Sequence, residues 1–124
     1  MKIVRFRADG ADRLGFQVGD AVIDALAALP AADAAAASAL LFDTQAFIRS
    51  GDTGLKLAQR LIADAPAGAR NPLGSIQLLA PILPSTILCS GSNYHAHNAE
   101  KLNTAISGKE PEFFVKTADC VIGH

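Results

Sequence analysis

Met1-Lys2-Ile3-Val4-Arg5-Phe6-Arg7, then Asp9-Gly10, Leu14-Gly15-Phe16-Gln17-Val18, Gly19-Asp20 and Ala21-Val22-Ile23-Asp24 form the stretch that decides the fold. In its first run Ile3, Arg5 and Arg7 alternate with Val4 and Phe6, the period of a strand with one wet face. Asp9-Gly10 is a turn signal. Gly19-Asp20, set between two short apolar runs, is a hairpin signature. Residues 1–24 are therefore predicted to form a small antiparallel meander.

Working outward, residues 25–41 are mostly alanine and leucine, interrupted at Pro30, Asp33 and Ser38. Alanine has the highest helix propensity, which predicts a helix over 32–41. Asp43 is placed to cap a short helix over 44–49, closed by Ser50-Gly51. Asp52 is placed to cap another, running to Ala63, with Leu55, Ala58 and Ile62 on one face, Leu61 beside them, and Lys56, Gln59 and Arg60 toward water. Residues 65–72 carry two prolines and Gly68 and read as a loop and a domain boundary. Beyond it, Ser75–Leu79, Thr86–Cys89 and Glu112–Val115 read as strands, the last ending at Lys116. The expected class is α+β: an N-terminal small domain of antiparallel hairpin plus helices over 1–72, and the opening strands of a β-rich domain over 73–124.

Composition narrows the function. Of 124 residues, 50% are hydrophobic and 19% charged, which supports a packed core and argues against disorder. A formal net charge of −1, with no basic run, gives no electrostatic case for nucleic acid or an anionic membrane. The longest largely apolar stretch, Ala34–Phe42 with Ser38 inside it, is too short to span a bilayer. The first seven residues lack the apolar block of a signal peptide, so the expected location is the cytoplasm. Cys89 and Cys120 are the two cysteines, without C-x-x-C spacing. They read as reduced thiols rather than as a disulfide or zinc framework.

The chemistry concentrates in Gly91-Ser92-Asn93-Tyr94-His95-Ala96-His97-Asn98-Ala99-Glu100. Asn93 is placed to cap a helix beginning at Tyr94. On that helix His97 and Glu100 stand three apart and share a face, while His95 points elsewhere. A carboxylate beside an imidazole fixes its tautomer and stabilises the imidazolium formed when it accepts a proton. The positive end of the helix dipole favours the neutral, proton-accepting form. Together these are the properties of a general base. Two other readings of the same residues stay open: a solvated His–Glu pair without function, and, were the segment a strand, a His95-x-His97 metal pair.

The run Leu79-Ala80-Pro81-Ile82-Leu83-Pro84, then Ile87-Leu88-Cys89-Ser90-Gly91-Ser92-Asn93-Tyr94 with His97 and Glu100, resembles the fumarylacetoacetate hydrolase family. That family shows G-x-N-Y-x-x-H-x-x-E followed by E-P-x-x-F-x-K, the latter matched by Glu110-Pro111-Glu112-Phe113-Phe114-Val115-Lys116. The resemblance covers residues 79–116; before that only the hairpin-then-helices layout is similar. It implies that His97 is the base that activates water and Glu100 its partner. It also implies that Lys116 lies near the substrate, that Asn93 shapes the loop leading into the helix, and that Tyr94 packs beside it. Lys116 as a solvated lysine and Tyr94 as a core aromatic are the plainer alternatives. Thr117, Ala118 and Ser92 depart from the family's usual Pro, Ser, and Arg or aliphatic residue, which bears on the substrate class.

The resemblance further implies a divalent cofactor (Mg²⁺, Mn²⁺ or Ca²⁺) held by a Glu-x-Glu pair and a later aspartate. It implies a homodimer, and a small-molecule substrate, a 2-keto or β-dicarbonyl acid, that is hydrolysed, decarboxylated or isomerised. The metal ligands are absent here: Asp119 is the one acidic residue after Lys116, and Glu110-Pro111-Glu112 falls inside the second motif. A hard divalent ion needs several oxygens. The chain is thus expected to be the N-terminal part of such an enzyme, inactive alone. The alternative is a non-catalytic binding or oligomerisation module derived from the family.

Overall fold

The computed structural model describes residues 1–91, 94–100 and 112–123. It divides into two compact units, Met1–Ile82 joined by the chain's last residues, and Leu83–Val121. The class is mixed α+β.

In the first unit the meander forms as expected. Strands β1 (Lys2–Ala8), β2 (Ala11–Val18) and β3 (Ala21–Asp24) run antiparallel. The register Ala8↔Ala11 leaves Asp9-Gly10 as a two-residue turn, and Val18↔Ala21 leaves Gly19-Asp20. Asp9 (φ 50°) and Gly10 (φ 76°) both have positive φ, the type I′ geometry whose twist matches that of the flanking strands.

Two further strands complete the sheet, in the order β4-β3-β2-β1-β5. β4 (Arg70–Pro72) pairs with β3, and β5 (Gln77–Leu79) pairs with β1, both antiparallel. The segment read as a loop and boundary, 65–72, therefore ends in an edge strand. Pro72, which has no N–H to donate, is tolerated at that edge. Because β5 is hydrogen-bonded to β1, the first unit extends to Ile82 rather than ending at Pro72.

The helices fill the excursion from β3 to β4. The expected continuous helix over 32–41 is instead a broken series: 3₁₀ turns at Ala31–Asp33 and Ser38–Leu41 flank one α turn, α1 (Ala34–Ala37). Short helices are marginal in water, and here burial of Ala37 and Leu41 sets the path. Helix α2 (Thr44–Arg49) is capped as predicted: the Asp43 carboxylate accepts the Ala46 N–H at 2.7 Å. Helix α3 spans Asp52–Ala63, but Gly51 occupies its cap position and Asp52 is its first residue, an acid at the positive end of the dipole. Its buried stripe is Gly54, Leu57, Ala58 and Leu61. Leu55, expected inside, is 43% exposed, and Ile62 is partly buried.

The sheet has two differently packed faces. Leu14, Phe16 and Ile23 join Ala28, Ala37, Leu41, Phe47, Leu57, Ala58 and Leu61 in one core. Phe16 meets Phe47 of α2 with ring centroids 5.3 Å apart. On the opposite face Phe6 and Val22, both fully buried, close over Gly15. A Cβ at Gly15 would lie 2.6 Å from Val22 Cγ1 and 2.8 Å from Phe6 Cε1. Replacing Gly15 with Ala is expected to destabilise the unit by about 1–3 kcal/mol through overpacking. Asp43→Ala should cost about 1 kcal/mol through the lost cap. Urea unfolding midpoints of the two variants check both values.

Candidate functional site

The motif residues lie in the second unit. Strand β6 (Ile87–Gly91) leads toward α4 (His95–Glu100), and β7 (Glu112–Lys116) lies antiparallel beside β6. β6 forms because Ile87-Leu88-Cys89 is a short apolar run, and it begins past Pro84, which cannot donate to a ladder. Residues 95–100 are helical, so positions 97 and 100 stand one turn apart, separated by about 4.5 Å along the axis. The same helix sets positions 95 and 97 roughly 200° apart around the axis. That removes the strand geometry on which a His-x-His metal pair depends.

The register decides which other residues come near the α4 end of the hairpin. Gly91 pairs with Glu112 and Ile87 with Lys116. Glu112 therefore sits where β6 leads out toward α4. Lys116 is at the far end of the strand, about 13 Å along from that point at 3.3 Å per residue. Lys116 is exposed, with its Nζ 6.0 Å from the centroid of the Phe114 ring. Glu100, the last residue of α4, is exposed, and so is His95. Tyr94, which precedes α4, is 79% exposed. Asn93 and the side chain of His97 lie outside the described residues.

Among the described residues no group of three or more His, Cys, Asp or Glu side chains could hold a metal ion.

A second charged constellation, which sequence reading missed, lies in the first unit. Asp12 accepts hydrogen bonds from Arg7 Nε at 2.7 Å and Arg5 Nη2 at 3.0 Å, and Arg5 Nη1 donates to the Ala80 carbonyl at 2.9 Å. Arg13 Nη1 donates at 2.7 Å to Asp24 Oδ2, while Asp24 Oδ1 accepts the Leu26 and Ala27 N–H groups. Asp24 is 2% exposed, and its carboxylate is satisfied from both sides. The hydrogen bond from Arg7, reinforced by the positive charges of Arg7 and Arg5, holds the Asp12 carboxyl below the usual aspartate range. The hydrogen bond to Asp24 and its negative charge raise the Arg13 guanidinium. These contacts tie β1, β2, the exit from β3 and the segment after β5 together. The only sequence signal was charge on adjacent strands, which becomes pairing only once the register is known.

A shallow cavity of about 90 Å³ in the first unit is lined by Ala28, Pro30, Asp33, Arg60, Leu61 and Asp64, with Arg60 paired to Asp33 at 2.7 Å. It is smaller than the roughly 300 Å³ at which small-molecule sites begin.

No protein-family model matches the chain. The chain is 42% identical over 57 residues to an uncharacterized protein of Archaeoglobus fulgidus, a match covering 46% of this chain and 22% of that protein. It is 35% identical over 77 residues to Protein Rv2993c of Mycobacterium tuberculosis, covering 55% of this chain and 27% of that protein. The chain thus spans about a quarter of the length of these curated relatives. No helix among the described residues is long and apolar enough to cross a membrane.

Asp12 gives the first unit an acid limb of definite sign. Its folded pKa is depressed, so its stabilisation is present above the ordinary aspartate value of about 3.9 and is lost as pH falls through the lower folded value. Asp12→Asn is expected to flatten that limb. Urea midpoints measured from neutral pH down to pH about 2 check it; an unchanged acid slope would show that Asp12 carries none of it.

Proposed function

We propose that the chain is the N-terminal portion of a protein of the fumarylacetoacetate hydrolase family. The whole protein would act on a small 2-keto or β-dicarbonyl acid by hydrolysis, decarboxylation or isomerisation. The observation that carries this reading is the joint placement of the two motif segments in one unit. Gly91 ends the strand that leads to the helix of His97 and Glu100, and Glu112–Lys116 returns beside that strand. In this reading His97 is the base that accepts a proton, and Glu100, one turn along, holds the imidazole tautomer and stabilises the imidazolium. The divalent ion of the family would be held by further polypeptide, consistent with a chain that matches about a quarter of its relatives' length. Tyr94, Asn93 and Lys116 would contact substrate only if that polypeptide brings it along both ends of the hairpin.

A second reading, a non-catalytic interaction module, is favoured by one observation: Leu88, Phe113 and Val115 are 64–67% exposed on a two-stranded sheet.

The experiment that separates the readings uses the chain extended to the length of its relatives, supplied with Mg²⁺ or Mn²⁺ and a panel of small 2-keto and β-dicarbonyl acids. Turnover is expected, with kcat falling about 10²–10⁴-fold in His97→Ala. Absence of turnover across the panel removes the catalytic reading. The 124-residue chain alone is expected to bind Mg²⁺ no tighter than about millimolar in titration calorimetry, for want of carboxylate ligands.

A further inference from the structure

The chain leaves the first unit after Ile82 and re-enters it at Ile122, so residues 83–121, with both motif segments, form an excursion whose two ends belong to that unit. The re-entry is made backbone to backbone. A Cβ at Gly123 would stand 2.7 Å from the Leu78 carbonyl oxygen, 2.9 Å from Leu79 Cα and 3.2 Å from Ala80 N. These are main-chain atoms of β5 and of the residue after it, and they cannot swing aside as the end of a side chain can. Glycine is the residue that lets two backbones come this close. The crowding is particular to this position: a Cβ at Gly68 or Gly74, in the 3₁₀ turns of the same unit, would meet nothing within 4 Å.

The exit is fixed at the same place. β5 is laddered to β1 through Arg5↔Leu79, Phe6↔Leu78 and Arg7↔Gln77. Ala80 is 5% exposed, and its carbonyl accepts Arg5 Nη1 at 2.9 Å, while Arg5 Nη2 is held by Asp12 at 3.0 Å. The departing chain is thus pinned at Leu78–Ala80, just before it leaves, and the returning chain meets the same three residues. The return is secured differently. The Ile122 side chain, next to Gly123, is 84% exposed and adds little burial, which leaves the close main-chain contact at Gly123. Closing a loop of this length costs chain entropy, and a contact with little apolar burial stands at the low end of local opening free energies.

We propose that Gly123 and Leu78–Ala80 form a clasp that opens and closes independently of the sheet. Closed, it holds both ends of the excursion on β5; open, the link to β5 runs through Ile82 alone. The absent side chain at position 123 is the control, because a hydrogen lets the two backbones meet and any larger group keeps them apart. Positions 97, 100 and 116 all lie between the two anchors, so the clasp constrains the segment that carries them from outside the motifs. The proposal rests on the chain path and the packing at Gly123, not on the catalytic reading.

Nuclear magnetic resonance of the 124-residue chain tests it. With the clasp closed, a nuclear Overhauser effect is expected between the α protons of Gly123 and Leu79, and the backbone nitrogens of residues 121–123 should relax like those of the sheet. In Gly123→Ala and in Gly123→Val that contact should be lost and residues 121–123 should relax as a free segment, while the cross-strand contacts of β1, β2 and β3 persist. Gly74→Ala, whose new Cβ meets nothing, is the control and should keep the contact. Should Gly123→Val fail to fold, Gly123→Ala decides. Absence of the contact in the parent chain overturns the proposal. A contact that survives in a folded position-123 variant also overturns it, because the close approach would then not depend on glycine. Loss of the β1–β3 contacts in both variants, or loss of the clasp contact in the control, overturns it too: position 123 would then belong to the packing of the sheet rather than to a clasp.

Discussion

The first unit depends on how β2 uses its two faces. Leu14 and Phe16 point to the helices, and Gly15 between them turns to the other side, where Phe6 and Val22 meet across the missing side chain. A strand residue can serve only one face, so a slip of a single position would put Phe16 where Gly15 must be and carry Gly15 into the helix core. The two short turns prevent that slip, because Ala8↔Ala11 and Val18↔Ala21 leave no spare residue on either side of β2. The rest of the unit is built against this strand: the helices over Phe16 through Phe47, and Phe6 and Val22 over Gly15.

Charge adds direction to that packing. Asp24, at the end of β3, is buried, yet its carboxylate is used three times, by Arg13 and by the Leu26 and Ala27 amides. A buried carboxylate with partners on both oxygens avoids the desolvation penalty of an orphaned charge, and here it also turns the chain out of the sheet toward the helices. Arg5 does the same at the opposite edge by reaching the Ala80 carbonyl, just after β5. An ion pair, Arg13–Asp24, and a side-chain-to-backbone hydrogen bond, Arg5 to Ala80, thus mark two places where the chain leaves the sheet.

The second unit follows a different logic. Its ladder is short, its apolar residues on β7 are open to water, and its motif residues sit on a helix of six residues. A two-stranded ribbon with exposed apolar side chains is marginal in water by itself, and in the proposed reading further polypeptide covers it.

Much of this was open to direct reading. Alternation over Lys2–Arg7 and the two turn dipeptides sufficed for the meander, because period and turn chemistry are local properties. Asp43 was legible as a cap for the same reason. The His97–Glu100 spacing needed a helix, and the helix is there. What local pattern could not supply was any choice settled by distant contacts. Leu55 lost its place in the core to Gly54 and Leu57, because α3 approaches α2 along the side that glycine leaves open. Arg70–Pro72 and Gln77–Leu79 became strands because β3 and β1 had free edges for them. The alanine-rich run broke into short turns, since propensity without an apolar stripe does not hold one helix straight. The sequence by itself determined the meander, its turns, the caps and the motif spacing, all set within a few bonds of each residue. Tertiary structure alone decided which edges were filled, which helix face was buried, and which end of β7 stands beside the strand leading to α4, because those depend on what the rest of the chain brings alongside.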